Sequence, residues 1–463
     1  MEKPKDKNTV RLAALLLLAA GLSFALAIFR SAEHPDIYYY MGCVRLVLEG
    51  KVPFVDFYTH YTPFTFYMSS LPAYFIGTDS TAALSIETFM SIVNALLIYR
   101  LLREEVRDRA LCLFAVAFYA TSLFFIDGMC YVLEPFVMFW GLLSLFAVRK
   151  GSLWAVAVAG ACCFLAFWSK QYGLGFFALD ILYLLLSFRT DLKALAGRLS
   201  LLSIGFAAGA CCAVGPLLMQ GATLADMTAL SGDTYEKFGL PALLEGIGYL
   251  LLVAPFLPIA AFLVAKHFKI LSREAFPVVC FFGIVCFMVA TYVRPYLHYI
   301  QLPLPFAIFL TTILLDRYGG ERLKRWFKVS VIVPLSIMVV IDYNFIVHNE
   351  RQDVADVAAE VAKLIPEGTD KVYVSTRLLC VAHVNRYGAP MLWKHGMKNG
   401  FMEEGEPLRD NILDAGCYVI DPVKLEYLRR EEPQLLRHIE EGRHATRIDC
   451  RDKRFVAIVY TTQ

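Results

Sequence analysis

Long apolar runs separated by short charged connectors fill the first three quarters of the chain. A run of about 20 mostly apolar residues is long enough to cross a bilayer as a helix. Such runs are expected at 11–29, 80–99, 110–126, 132–148, 152–169, 172–188, 200–219, 242–265, 275–292, 299–315 and 329–346. A shorter apolar piece, 63–76, holds Pro63 and Pro72 and reads as a re-entrant or interfacial segment. The runs stop after Phe345. From there Val354, Val357, Val361 and Leu364 form a helical stripe, and Lys371–Thr376, Cys417–Asp421 and Phe455–Thr461 read as strands. Leu425–Glu440 reads as helix, broken near Pro433. The pattern predicts a multi-pass α-helical membrane protein with about eleven spans over residues 1–346 and a first outside loop at 30–79. A small extracytoplasmic α/β domain follows over 347–463.

Composition agrees. Of 463 residues 58% are hydrophobic and 19% charged, whereas a soluble domain carries about 25% charged residues. Disorder, nucleic-acid binding and an ordinary soluble enzyme are excluded. The 44 basic and 42 acidic residues nearly cancel, so net charge says nothing about partners, but its distribution does. With the N-terminus in the cytoplasm, the inside connectors collect about 21 Lys and Arg and the outside loops about six. An odd number of spans then puts the tail outside. Ala25-Leu26-Ala27 resembles a signal cleavage site, but the apolar run Leu12 to Phe29 exceeds a signal core of about 7–15 residues. The first span is therefore expected to be retained. Seven of the 12 cysteines, Cys112, Cys162, Cys163, Cys211, Cys212, Cys280 and Cys286, lie in apolar runs and read as small buried hydrophobes. Cys380, Cys417 and Cys450 fall in the tail, where no spacing suggests a zinc site or defines a disulfide.

Polar groups beside a membrane are costly, so their placement is informative. The first outside loop carries Glu33-His34-Pro35-Asp36 and then Ile37, Met41, Val44 and Leu48 at helical spacing, with Tyr38, Tyr39 and Tyr40. This reads as an amphipathic surface helix with Asp36 at its start. Asp36 suits a plain helix cap, and the same position suits an ionised general base. Next comes Gly50–Pro63, in which Asp56 and His60 lie among aromatics suited to a sugar or a lipid headgroup; an ordinary aromatic interfacial loop would look alike. Asp127 and Glu134 flank the entry to the fourth span, and Lys170 sits in a short outside turn. Arg294, His298 and Tyr299 lie between the ninth and tenth spans. Lys170, Arg294 and His298 could together hold a phosphate, or each could anchor a helix end in headgroups. The tail shows no Gly-rich phosphate loop, nucleophile elbow or metal cluster.

The ordered set of these segments resembles the GT-C glycosyltransferases, in particular the bacterial relatives of protein O-mannosyltransferases and the lipid A aminoarabinose transferase. The likeness rests on His34-Pro35-Asp36 after the first span and on Gly50…Pro53-Phe54-Val55-Asp56-Phe57…Tyr61-Thr62-Pro63. It rests also on Glu134-Pro135-Phe136, Lys170-Gln171 and His298-Tyr299…Leu302-Pro303…Pro305, and on the position of the C-terminal domain. It departs from the family where Ile37 follows Asp36 in place of a second acid, where Phe64 replaces the second proline of a pair, and in lacking a Trp-Trp-Asp signature. Block transfer of a large glycan to asparagine is therefore not expected. The resemblance implies an inverting transferase that takes a sugar from a polyprenyl-phosphate donor to a lipid, glycan or protein acceptor at the outer face of a bacterial inner membrane. It makes Asp36 the base and Lys170, Arg294, His298 and Tyr299 the donor-phosphate side. It makes Asp56, His60 and Glu134 acceptor-side groups, with Asp36 and Glu134 as ligands if a divalent Mg or Mn ion takes part. The rival readings are a transporter or flippase and a noncatalytic scaffold. No internal repeat is visible, and the charges sit at span ends, which favours surface chemistry over a transport path.

Overall fold

The computed structural model describes residues 7–31, 35–57, 59, 61–228, 239–293, 296–348, 350–366, 369, 372–374, 415–449 and 456–461. The chain divides into two compact units. The first comprises Met1–Ala25, Ile86–Pro216 and Tyr235–Tyr343, and the second Leu26–Ser85, Leu217–Thr234 and Asn344–Gln463.

The first unit is helical. It holds most of α1 (Lys7–Arg30), α4 (Ser80–Glu105) and α9 (Leu192–Met219), reached by way of α2 (Pro35–Leu48) and α3 (Phe64–Ile76) in the other unit. It also holds α5 (Arg109–Ser122), α6 (Glu134–Arg149), α7 (Leu153–Ser169) and α8 (Leu174–Ser187). After the short α10 (Leu224–Thr228) of the second unit come α11 (Leu240–Val253), α12 (Leu257–Leu271), α13 (Ala275–Val293), α14 (Leu304–Tyr318), α15 (Glu321–Val329) and α16 (Ile332–Val347). Among the described residues α1, α4, α9 and the stretches Leu297–Tyr318 and Glu321–Val347 are long and apolar enough to span a membrane.

The expected single helix over 242–265 is not one helix. α11 and α12 meet at a bend of 98°. Pro255 lacks an N–H and disfavours helical geometry at Ala254, which sits at φ −121°, ψ 64°, and Pro258 then starts α12. Periodicity shows the apolar character of the stretch and is blind to the break.

Close helix packing is built on small residues. α9 carries Gly205-Phe206-Ala207-Ala208-Gly209. A Cβ on Gly205 would lie 1.8 Å from the Ala157 carbonyl oxygen of α7, and one on Gly160 would lie 2.0 Å from Leu202 O. Two backbones approach this closely only where side chains are absent. Gly205→Leu is expected to lower thermal stability by about 1–3 kcal/mol, read as an earlier thermal melt in detergent; an unchanged melt would contradict this contact. Of the seven span cysteines, Cys112, Cys162, Cys163 and Cys280 are buried and Cys286 is half-buried. Cys211 and Cys212 are exposed, contrary to expectation, because α9 keeps little of its apolar surface inside the protein.

At the α6 C-terminal end the helices are tied by ions. Arg149 pairs with Glu105 at 2.7 Å and Glu104 at 3.3 Å, Lys150 with Glu104 at 2.8 Å, and Arg317 with Glu105 at 2.7 Å and with Glu274. Asp316 accepts from the Arg107 and Asp108 backbone N–H groups at 3.0 and 3.2 Å.

In the second unit, α17 (Glu350–Leu364) buries Val354, Val357 and Val361. A sheet follows, of strands β1 (Val372–Val374), β2 (Cys417–Ile420), β3 (His444–Asp449) and β4 (Val456–Thr461) in the order β1-β2-β4-β3. β1 and β2 are parallel and the other pairs antiparallel. α18 (Pro422–Glu431) and α19 (Pro433–Glu440) lie between β2 and β3, broken at Pro433 as predicted. Tyr418, Ile420, Leu428, Leu436, Ile439 and Tyr460 make the core of this domain. β3 was not expected: only its Ile448 is other than exposed, since an edge strand needs no apolar face when β4 supplies its ladder. Burial pushes the Cys417 thiol up to about 12, so it is an inert core group. Cys380 and Cys450 lie outside the described residues.

Candidate active site

One end of the first unit gathers the termini of several helices. α5 and α7 end there, and α6 and α8 begin there. Glu134 is the first residue of α6, where Pro135 fits because first-turn N–H groups have no helical acceptor. Lys170 follows α7 in extended conformation, φ −164°, and a 3₁₀ turn over Gln171–Gly173 leads into α8. Gly173 is required in that turn, since a Cβ would lie 2.2 Å from the Ala166 carbonyl carbon.

These two helix ends bring opposite charges together. Lys170 Nζ donates to Glu134 Oε1 at 2.5 Å. The Lys170 side chain is 6% exposed and that of Glu134 0%. The Lys170 ammonium also stands 4.6 Å from the Tyr299 ring centre and 5.8 Å from that of Tyr172. The two rings meet edge to face at 5.1 Å. Aromatic faces attract a cation and exclude water, so the ammonium is fixed on several sides. A buried pair of this kind survives only if both charges are satisfied.

Tyr299 and His298 lie on a 3₁₀ turn, Leu297–Gln301, ahead of α14. His298 stacks on Tyr296 with ring centres 5.4 Å apart and meets Tyr299 edge-on at 4.7 Å. Its Nδ1 lies 3.4 Å from Asp127 Oδ2. The Asp127 loop between α5 and α6 is tied to the same turn, because Gln301 Nε2 donates to Ile126 O at 2.8 Å. Asp127 and Tyr131 both take positive φ, 55° and 46°. Asp tolerates that conformation and a buried Tyr rarely does, so the loop is held by its surroundings.

The sequence reading missed Glu87. It lies on α4, 0% exposed, within electrostatic reach of Glu134. The Val132 backbone N–H faces its carboxyl group, and among the described residues Glu134 Oε2 has no hydrogen-bond partner. A single acid inside an otherwise apolar span was the available signal. Asn94, two turns further along α4, donates to Pro135 O at 2.9 Å and locks the start of α6.

In the second unit, α2 begins at Pro35, so Asp36 occupies its first turn rather than the residue before it. The Asp36 side chain, His60 and Arg294 lie outside the described residues. The expected stripe is buried at Ile37, Met41 and Val44, but Tyr39, Tyr40, Cys43 and Leu46 are buried too. α2 is thus enclosed on most sides, where the spacing predicted a helix lying on a surface. Tyr39 Oη donates to Thr59 Oγ1 at 3.2 Å, and the Tyr40 and Tyr61 rings meet at 5.1 Å. Asp56 Oδ2 accepts from the Val52 N–H at 2.7 Å and closes its own turn, with Phe54 at φ 68°. Among the described residues no three His, Cys, Asp or Glu side chains gather as metal ligands.

The helical array with its apolar spans and the small sheet domain define a multi-pass helical membrane protein. Two solved structures share this architecture. ArnT from Cupriavidus metallidurans bound to undecaprenyl phosphate superposes with a TM-score of 0.62 at 14% identity, over 97% of this chain and 97% of that chain. The apo state of the same protein gives 0.61 at 12% identity, over 96% and 97%. At these identities the likeness is one of fold. No protein-family model and no curated protein matches the chain.

Proposed function

We propose that this chain is an inverting glycosyltransferase that moves a sugar from a polyprenyl-phosphate donor to a hydroxyl of a lipid, glycan or protein acceptor at the outer face of a bacterial inner membrane. One observation carries the reading: the fold is shared, almost end to end, with a protein solved in complex with undecaprenyl phosphate. In that setting the N-terminus is cytoplasmic and the C-terminal domain extracytoplasmic.

Asp36 takes the proton from the acceptor hydroxyl as its oxygen attacks C1 of the sugar. The C1–O bond to phosphate breaks, and the electron pair leaves on the lipid phosphate. Fixed cations in a dry site stabilise that departing charge. Lys170 is the main one, with His298 and Arg294 beside it in role. Glu134 then acts as a positioning residue: it holds the ammonium by one oxygen while Tyr299 and Tyr172 hold it by their faces. Asp56 and His60 belong on the acceptor side, although Asp56 already accepts from its own turn.

A divalent ion does not fit the described residues well. Of the two carboxylates expected to bind it, Asp36 has its side chain outside the described residues, and Glu134 has an ammonium in the place a cation would take. Among the described residues Glu87 is a further carboxylate within electrostatic reach of Glu134. Hard cations need more clustered oxygen ligands than this, so no step is routed through a metal.

Purified protein in liposomes, given labelled polyprenyl-phosphate sugars and an envelope extract, is expected to move label to an acceptor. Label crossing the bilayer with no transfer would favour a flippase and overturn the reading. Glu87→Gln removes the buried carboxyl group that stands within electrostatic reach of Glu134. The variant is expected to transfer more slowly than wild type while melting at the same temperature; an unchanged rate would remove Glu87 from the site.

A further inference from the structure

α15, Glu321-Arg-Leu-Lys-Arg-Trp-Phe-Lys-Val329, is nine residues long and two-faced. At 100° per residue Leu323, Trp326 and Phe327 fall on one side, and Lys324, Arg325 and Lys328 fall opposite, with Arg322 at the margin. Phe327 is 0% exposed. Its ring lies 5.5 Å from Phe114, 5.9 Å from Phe118 and 5.1 Å from Phe256. One aromatic side chain therefore pins the helix to the bundle. Trp326, its neighbour, is 57% exposed and Val329 45%. An exposed Trp at the margin of a basic helix face has the chemistry of a membrane interface, where the ring sits at headgroup level.

The basic face is extended by another element. Lys328 Nζ donates to Thr9 Oγ1 at 2.5 Å, which sets the first turns of α1, with exposed Lys7 and Arg11, beside α15. Six basic side chains therefore share this corner, with Glu321 the only acid in the two described stretches. Lys7, Arg11, Arg322, Lys324 and Arg325 form no ion pair with a described acid. The acids at the end of α14 and its neighbours are already engaged: Glu105 and Glu274 by Arg317, and Asp316 by two backbone N–H groups. Among the described residues these five cations thus have no acidic partner, while the exposed Trp326 lies on the same short helix as three of them.

We propose that α15 and the first turns of α1 form a headgroup site for an anionic glycerophospholipid of the leaflet on the N-terminal side. The phosphate lies against Arg322, Lys324, Arg325 and Lys328, and the Trp326 ring lies beside the glycerol. Basic clusters next to a span, on an amphipathic helix, attract anionic lipids in this way. The site lies at the helix ends opposite Lys170 and Glu134, since α6 runs from Glu134 at one end to Arg149 in the ion network at the other.

The test uses the full chain in phosphatidylcholine vesicles that carry a minor fraction of brominated phosphatidylglycerol or brominated phosphatidylcholine. The Trp326 signal is isolated as the difference from Trp326→Phe. Brominated phosphatidylglycerol is expected to quench Trp326 at a concentration lower by at least about tenfold. The preference should fade as salt rises from about 0.01 to about 1 M. It should vanish in R322Q/K324Q/R325Q/K328Q and persist in the charge-keeping R322K/K324R/R325K/K328R, which guards against misfolding. Equal quenching by the two lipids in the wild type overturns the proposal. So does a preference that survives loss of the four charges. Loss of the preference on adding inorganic phosphate, but not chloride of equal ionic strength, would show a site for the free anion and also overturn it.

Discussion

Asp36→Asn is expected to abolish sugar transfer, with a fall of about 10²- to 10⁴-fold, the usual worth of a general base. Expression, melting temperature and donor binding should stay near wild type. The reason is local. Asp36 stands in the first turn of α2, and α2 is fixed by buried Ile37, Met41 and Val44 one turn after another. Asn keeps the size of the side chain and removes its ability to take a proton, so the helix has no cause to move. The check is single-turnover transfer with purified variant and saturating donor. Wild-type turnover would reduce Asp36 to a helix-start residue. Loss of turnover together with an early melt would point to folding, and Asp36→Glu would then separate the two, since it keeps the base on a longer arm.

Lys170→Met is expected to fail twice over. It leaves the Glu134 carboxylate, 0% exposed, with no counter-ion. Breaking a buried pair by removing one partner costs about 3–5 kcal/mol, so the melt should drop sharply. Transfer should be lost as well. The double variant Lys170→Met/Glu134→Gln separates these effects. With both charges gone it is expected to regain most of the stability, because a neutral pair of similar volume has no large desolvation cost. It should not regain transfer or affinity for undecaprenyl phosphate, because the departing phosphate would still lack its cation. A stable double variant with wild-type transfer would remove Lys170 from the donor side. A double variant as unstable as the single one would mean that Tyr299 and Tyr172 packing, rather than charge balance, sets the stability of this corner.

Several features could be read without a structure because they are local and additive. Hydrophobicity sums along a run, so the helical segments, the polar tail and the break at Pro433 were visible residue by residue. The tail strands Val372–Val374, Cys417–Ile420 and Val456–Thr461 each fall inside a predicted stretch. β3 did not show itself, because His444, Ala445, Thr446, Arg447 and Asp449 are all exposed and carry no apolar period. Glu134, Lys170, His298 and Tyr299 were each recognisable as odd polar groups at span ends. What each one meets was not. A lysine at the end of a span can serve lipid headgroups or a buried acid, and both leave the same local sequence.

The chain by itself therefore determined a multi-pass helical membrane protein, a small α/β tail and a concentration of unusual polar residues at span ends. Only the tertiary structure decided that Lys170 closes on Glu134 across 36 positions of sequence, that Tyr299 and Tyr172 wall in the ammonium, and that Glu87 stands beside the pair. It also decided that the 242–265 run turns through 98° and that Asp56 accepts from its own loop. The physical reason is common to these cases. Transfer from water to an apolar phase depends on a residue's own side chain, whereas an ion pair, a cation–π contact or a bend depends on which helix ends the packing brings side by side.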